Sequence, residues 1–552
     1  MKYYTRKVFL LLKGFIYKRR NNILYLYLSS RHALCVTRYK KKEVSLLMVK
    51  YKIPVLVLIL FMSVSINFVF GEETVKIVLL HTNDIHGHIY PYEDARIAPG
   101  PEKIGGFEYL STLIKKERAE NPDALLLDGG DIAQGSLYSN LAYGIPVIEL
   151  MNTAGYDCLA PGNHDFDWGA EKLSGMINAA TFPVIAANVI ERKSGNFIPG
   201  TKPYILKDIN GIRIGIIGIA CTDTTVLSPE CSKEKYNFLS AEETLKCYIP
   251  VLKQIHKADL IMVISHLGYR EDVKLADMVS DIDIIVGAHS HTALKEPVMK
   301  NNTIIIQAGC YLTYLGKTEL EVDKEKKKII SYRGELIKIL DSQIEPDMEV
   351  KALLDKYKEK YKSFGEKVIG EASVELTKSN TKECNLGNLI ADIMRITGEA
   401  DIALINTGGI REDIPAGPVT IEKIYGVYPF ENMLISMDLK GKYIKEIIET
   451  TFNGSHAILQ VSGLKIKYDF SKPGREKTVE ILVNNQPLDD EKIYRVTTAD
   501  FLAIGGDGYE SFKKGENLQN IMPIRDSIIK YFQDHSPVSA EIEGRLENVE
   551  KK

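Results

Sequence analysis

The sequence predicts an α/β protein built in two blocks, each a sheet covered by helices. Three observations carry this. From Val75 onward, short apolar runs alternate with amphipathic stretches: VKIVLL, then ALLLDGGD after FEYLSTLIKKERAE, DCLAPGNHD after PVIELMNTAG, and later IRIGIIGIAC, LIMVISHLG, IDIIVGAHSH and TIIIQAGC. A polar, helix-like tract interrupts this rhythm near residue 346. The rhythm then resumes, with LGNLIADIMRITG and KGKYIKEIIETTF as helices around the strand DIALINTGG. Strand-like runs separated by helical segments indicate covered sheets. The length of 552 residues accommodates several units, and 45% hydrophobic with 26% charged residues excludes disorder, collagen and coiled coil as overall descriptions.

The first element is a leader. Residues 1–71 hold 14 Lys/Arg and one acidic residue, Glu43. The rest of the chain carries 56 basic and 72 acidic residues, a net charge of -16 that argues against a nucleic-acid polymer as partner. A small anion at a locally positive site remains compatible. The one long apolar run, Ile53 to Phe70, follows Lys50 and Lys52 and ends at Gly71 before two glutamates. A basic segment, an apolar segment and a cleavage point make a secretory signal; the rival is an uncleaved anchor helix, since eighteen residues just span a bilayer. Met48 opens a conventional signal, so translation is expected to start there. A basic cytoplasmic arm over 1–47 is the alternative. Seven cysteines without a CxxC pair exclude a disulfide scaffold and a zinc knuckle, leaving Cys221, Cys231 and Cys247 as candidates for one or two disulfides. The C-terminus lacks an apolar tail, so no lipid anchor is expected there.

The first block is expected over 72–343, with the charged tract VDKEKKKIISY as a surface hairpin near its end. Residues 346–363 read as a polar amphipathic helix opened by Pro346-Asp347 and closed by Gly365, giving a linker at 344–364. The second block is expected over 365–540.

The chemistry gathers where apolar strands end. Five motifs lie there: Asp84-x-His86, Gly130-Asp131, Gly162-Asn163-His164-Asp165, His266, and Gly287-Ala288-His289-Ser290-His291. Loops converge at strand ends of open α/β sheets. An i, i+2 pair sends two side chains towards one ion from an extended segment, and a carboxylate can bridge two cations. A single histidine in such a protein is ordinarily a core or surface residue, but six of the eleven histidines (81, 86, 164, 266, 289, 291) fall in these loops. Imidazole, carboxylate and amide together suit zinc, manganese, iron or cobalt better than calcium or magnesium.

HTNDIHGH, DGGD, GNHDFDWG, SHLG and GAHSH, in this order, resemble the calcineurin-like metallophosphoesterases. ECNLGN, INTGGIREDIPAG, YPFEN and FLAIGGDGY resemble the C-terminal domain of 5'-nucleotidases. Together they resemble the exported 5'-nucleotidase / UDP-sugar hydrolase family over nearly all of residues 75–540. The resemblance implies a four-layer α/β sandwich followed by an α/β nucleotide-binding domain, and two divalent ions: zinc foremost, with manganese or cobalt as alternatives. It implies Asp84, His86 and His291 at one ion, Asn163, His266 and His289 at the other, Asp131 between them, and His164 with Asp167 as the catalytic pair. His81 reads as structural and His88 as a surface residue. Metal-activated water would attack phosphorus, with no phospho-enzyme.

The resemblance also implies that Phe430 and Phe501 sandwich the nucleobase, Asp507 binds the ribose hydroxyls, and Asn406 and Arg411 contact nucleoside and phosphate. The chain departs from the family pattern before ECNLGN, where Lys378 and Lys382 stand in a segment that often carries arginine. A point charge replaces a bidentate contact there, which weakens the expectation of activity on diphosphates and UDP-sugars. The function expected is hydrolysis of 5'-nucleotides outside the cytoplasm, in the periplasm, at the cell surface or in the medium. A 2',3'-cyclic-nucleotide phosphodiesterase/3'-nucleotidase of the same architecture is the rival enzyme, and a non-catalytic surface binding protein the rival of another class.

Overall fold

The computed structural model describes residues 73–550 except 95–96, 99–100, 222–234 and 454–457. The leader, with its signal and start-site expectations, lies outside the described residues, as does Cys231.

Two sheets form the first half. The first has seven strands, in the order Lys328–Lys338, Tyr314–Asp323, Thr74–Thr82, Leu125–Asp128, Cys158–Leu159, Val184–Ile185 and Thr201–Lys202. The last five run parallel, while Tyr314–Asp323 pairs antiparallel with both Thr74–Thr82 and Lys328–Lys338. The two antiparallel strands are the expected charged hairpin. The second sheet orders Val298–Lys300, Thr303–Ile306, Ile284–Gly287, Leu260–Ser265, Ile212–Ile219 and Tyr204–Ile209, with its middle four strands parallel.

Alternation along these strands builds the layers. Ile77, Leu79, Leu125 and Leu127 meet Ile214, Ile216, Met262, Ile264, Ile284 and Val286 in one dry core between the sheets. The other face of the first sheet, with Val78, Leu80 and Leu126, packs on the helices Phe107–Glu120, Ile145–Ala154 and Gly169–Ala179. The other face of the second, with Ile217, Ile261, Val263 and Ile285, packs on Ala241–Pro250 and Tyr269–Met278. The result is helix, sheet, sheet, helix: the four-layer sandwich. Strands buried on both faces read as continuous apolar runs for this reason.

The expected linker helix spans Met348–Gly365, its first turn capped by the Asp347 carboxylate, which accepts from the Glu349 amide at 3.2 Å. It is less solvated than its charge suggests. Val350, Leu354 and Tyr357 are buried, the Leu354 carbonyl accepts from Tyr90 at 2.7 Å, and the Tyr357 hydroxyl donates to Glu149 at 2.7 Å. The i, i+4, i+7 spacing of these three makes an apolar stripe on one face.

The second half holds a five-stranded sheet, ordered Leu459–Ser462, Ile402–Asn406, Ile493–Ala499, Met433–Lys440 and Glu516–Pro523. The helices Asn385–Thr397 and Gly441–Asn453 form where LGNLIADIMRITG and KGKYIKEIIETTF stand. A four-stranded sheet adjoins it, and its edge strand Leu546–Asn548 pairs parallel with Leu464–Tyr468, so this sheet draws a strand from beyond residue 540. The halves are joined by more than the linker: Asn140 Nδ2 donates to the Pro429 carbonyl at 2.7 Å, a buried bond. Among the described residues no helix is long and apolar enough to cross a membrane.

Candidate functional site

The loops after Thr74–Thr82, Leu125–Asp128, Cys158–Leu159, Leu260–Ser265 and Ile284–Gly287 converge. Asp84 N donates to Gly130 O at 2.9 Å, His86 N to Asp131 O at 2.8 Å, and the His289 amide to both Asp84 carboxylate oxygens at 2.9 and 3.1 Å. The turns are tight. Asp84, His86, Asp131, His289 and His291 all have left-handed backbone, with φ of 52, 49, 54, 71 and 54°. Such values are uncommon outside glycine, with Asp and His among the exceptions. Gly130 and Gly162 let two loops touch: a Cβ on Gly162 would collide with Asp131 Oδ1, and one on Gly130 (φ 93°) would collide with Gly162 N.

The structure brings the expected ligands together in two groups, Asp84 with His86 and His291, and Asp131 with His266 and His289. Within each group the ligand atoms lie within 4.8 Å of one another. Asp131 Oδ2 stands 3.1 Å from His266 Nε2 and 3.7 Å from His86 Nε2, so it faces both groups. Asn163 is buried in the turn just before His164. His81, buried beneath the strand end, has its ring against Gly316 and is pushed by burial down to about 4, in keeping with a structural role.

Several observations fit these residues to cations. His86 Nδ1 lies 2.8 Å from the Gln134 carbonyl and His266 Nδ1 lies 2.7 Å from the Gly129 carbonyl. A carbonyl only accepts, so each Nδ1 carries the proton and each neutral ring turns the lone pair of Nε2 inward. The Nε2 of His86 then lies 3.1 Å from that of His291, and the buried Nε2 of His266 stands 3.1 Å from Asp131 Oδ2. Lone pairs facing lone pairs and anions are the donor set of a metal centre. Burial, with Arg411 and neighbouring histidines, holds His86 and His291 well below the ordinary imidazole range, so both rings are neutral and able to donate a lone pair. Without a cation, His266 would be protonated: burial lowers it, but Asp131 and Asp84 raise it to about 10. Burial likewise works against the Asp131 anion, yet His266, His164 and His86 hold it well below the usual carboxylate range.

His164 sits beside this pair of groups. Its amide donates to Asp131 Oδ1 at 2.7 Å and its Nδ1 meets Asp167 Oδ2 at 2.7 Å. Burial lowers its proton affinity, but Asp167 and Asp131 leave it above the ordinary value, as suits a proton donor.

The second half of the chain reaches this site. The Phe430 ring lies 5.3 Å from the His164 ring, and the Arg411 guanidinium stands 4.9 Å above Phe430. Asn406 Nδ2 donates to Asp507 Oδ2 at 2.8 Å, at the end of Ile402–Asn406. Phe501 packs on the core of the second half and closes on Gly506, whereas Phe430 packs on the core shared with the first half. The two rings thus stand on different cores.

Four residues support the site in ways the sequence does not assign, although Asp165 stands within one of the expected motifs. Asp165 Oδ2 accepts from the amides of Asp131 at 2.9 Å and Gly162 at 2.8 Å, while its Oδ1 accepts from Ile132 at 3.0 Å and Ala133 at 3.3 Å. Asn83 Nδ2 donates to Asp84 and to the Gly309 carbonyl. Gln307 donates to Ala288 O at 2.6 Å and accepts from Ser290 Oγ and Thr292 N, fixing the turn that carries His289 and His291. Tyr311 lies against His86 and His291. A signal for it does exist: Tyr311 follows Thr303–Ile306, which runs parallel beside Ile284–Gly287, so its loop opens on the same edge. His88 is a correction. It is half-buried and stacked on Tyr311 at 4.2 Å, not a surface residue.

Comparison with known proteins accords with this geometry. Residues 77–293 match the calcineurin-like phosphoesterase model and 368–514 the 5'-nucleotidase C-terminal domain. Protein 5NUC of Lutzomyia longipalpis is 31% identical over 535 residues, covering 85% of this chain and 92% of that protein. The chain belongs to the 5'-nucleotidase family of metallophosphoesterases, hydrolases of nucleotides. The snake venom 5'-nucleotidase of Crotalus adamanteus is 30% identical, over 85% of this chain and 88% of its own. The crystal structure of a 5'-nucleotidase precursor from Thermus thermophilus superposes with a TM-score of 0.77 at 32% identity, covering 87% of this chain and all of that one. This family fold calls for a two-metal site, and the structure holds two groups of candidate metal ligands.

Proposed function

We propose that this protein hydrolyses 5'-nucleotides to nucleoside and phosphate outside the cytoplasm, with zinc as the preferred ion and manganese or cobalt as substitutes. One observation carries the reading: from the second half, Phe430 stands against His164 beside the two ligand groups, with Arg411 over its ring. Asp84, His86 and His291 would hold one cation and Asn163, His266 and His289 the other, with Asp131 facing both. Two divalent cations held there would supply Lewis acidity to the phosphoryl oxygens and lower the pKa of bound water. His164, raised by Asp167, donates to the charge that develops on the oxygens at phosphorus, and Asp167 keeps its ring in place. Arg411 offers a planar fork to the phosphate. Phe430 and Phe501 flank the base and Asp507, held by Asn406, takes the ribose hydroxyls.

The same reading divides the chain into a leader over 1–71, a metallophosphoesterase domain over 72–343, a linker over 344–364 and a substrate domain over 365–540. The signal peptide is cleaved after Gly71, an outcome read by sequencing the mature N-terminus. The decisive test is a panel of AMP, 2',3'-cyclic AMP, a UDP-sugar and p-nitrophenyl phosphate on zinc-loaded protein. AMP is expected to give the highest kcat/KM, abolished by chelation. A higher value on the cyclic nucleotide would reverse the assignment, and no turnover on any of them would favour a binding protein.

A further inference from the structure

Tyr311 stands out by its backbone as well as by its neighbours. It and Leu312 are successive non-glycine residues in the left-handed region, with φ of 56 and 55°. That conformation is costly for L side chains and persists where surrounding contacts enforce it. Here the Tyr311 amide donates to the Asp84 carbonyl at 2.8 Å, and Gly105 closes beneath, where a Cβ would lie 3.0 Å from Tyr311 O. The turn holds the ring against the first ligand group: the edges of His86 and His291 meet it at 5.7 and 5.5 Å, and His88 stacks on it at 4.2 Å with 28° between planes. The phenol then points across the cleft, and Arg411 Nη1 donates to its oxygen at 3.4 Å.

We propose that Tyr311 is a positioning residue for the substrate phosphate: its hydroxyl fixes the Arg411 guanidinium beside the first ligand group without neutralising it. The distinction between fixing and neutralising rests on what surrounds Arg411. The Tyr311 hydroxyl that accepts from it and the Phe430 ring beneath it are both uncharged. Among the described residues no carboxylate makes an ion pair with it, and the adjacent Glu412 is taken by Lys423 at 2.8 Å. A carboxylate in place of Tyr311 would hold the guanidinium as well but would cancel the charge the phosphate needs. A phenol oxygen orients one N–H and leaves the rest of the fork for phosphoryl oxygens. Since Tyr311 belongs to the metal-bearing half and Arg411 to the other, the bond also sets the register between them at the reacting end of the substrate.

The inference rests on the reading that Arg411 holds phosphate, and the test separates the two. Tyr311→Phe keeps the ring and removes the oxygen. The KM for AMP and the Ki of inorganic phosphate should each rise roughly three- to tenfold, the range of one long bond to a charged donor. The kcat, the bound metal measured by elemental analysis and the Ki of adenosine should stay within about twofold, against a bond factor of that size. Tyr311→Gln, which restores an acceptor, should regain part of the phosphate affinity. In an Arg411→Lys background Tyr311→Phe should have no further effect. If Arg411→Lys weakens phosphate and Tyr311→Phe does not, the positioning role is wrong and the reading of Arg411 stands. If neither alters the phosphate Ki, Arg411 does not hold phosphate. Loss of metal in Tyr311→Phe overturns the proposal in favour of support for His86 and His291.

Discussion

Asp165→Asn offers a sharp test of how the site is held. The carboxylate ties two loops together: Oδ2 takes the amides of Asp131 and Gly162, and Oδ1 those of Ile132 and Ala133. An amide side chain keeps one oxygen and turns an NH2 group towards two buried N–H donors. Two bonds to a charged acceptor are lost, at about 1.5 kcal/mol each, or about 3 kcal/mol together before any donor–donor repulsion. That cost falls on the native arrangement of the loops carrying Asp131 and Asn163, not on the distant cores. It should appear as a 10- to 100-fold loss of metal affinity, roughly the effect of removing a support behind a ligand. Calorimetric titration of chelator-stripped protein with zinc or manganese measures it. Excess metal should recover much of the kcat, because Asp165 touches no substrate in this account. Metal affinity equal to the parent protein's would refute the reasoning, and so would a kcat that stays low at saturating metal.

Three further predictions concern the same site. Asp131→Asn should remove most activity and much of the bound metal, whereas His164→Ala should keep both metals and lower kcat about 10²- to 10³-fold, the effect of one charge-stabilising donor; elemental analysis beside kinetics distinguishes them, and near-normal turnover in both would reject the assignment. Gly162→Ala drives a methyl into Asp131 Oδ1 and to 2.5 Å from His266 Cε1, so it should abolish binding at the second ligand group with no change in overall secondary structure by circular dichroism. Phe501→Ala should lower kcat/KM for AMP by about ten- to a hundredfold, worth ~1–3 kcal/mol of stacking, and leave p-nitrophenyl phosphate little changed; equal losses on both would make Phe501 a core residue.

Most candidate metal ligands are legible because their motifs pack the chemistry into two to five consecutive residues at the end of an apolar run, as in Asp84-x-His86 and His289-x-His291, while His266 stands alone at its strand end. Sequence spacing alone then reports a shared destination. Residues whose meaning comes from distant partners are not legible. Gln307 is an ordinary strand-end glutamine until its amide is seen holding the turn of residues 288–292. The tie that Asn140 makes to the second half shows only once the Pro429 carbonyl, 289 positions away, is seen beside it. His88 reads as a surface residue because its neighbour Tyr311 is remote in sequence. The linker helix is half legible: its charges announce solvent, while the stripe of Val350, Leu354 and Tyr357 that docks it stands in the same residues. The four layers follow from two-sided burial of the strands, which continuous apolar runs do announce.

The strained turns of the ligand loops have a consequence for the life of the protein without metal. Asp84, His86, Asp131, His289 and His291 are held in left-handed backbone by amide contacts and by Asn83, Asp165 and Gln307, all anchored on strands whose apolar cores are complete in themselves. The ions would therefore be guests of a finished scaffold, unlike those of a zinc finger, which create their host. Such a scaffold is expected to fold before it is loaded and to take up its ions afterwards. Its thermal stability becomes a gauge of ambient ion: saturation at a hundred times the dissociation constant adds about 2.7 kcal/mol for one site, and lower supply proportionately less by the logarithm.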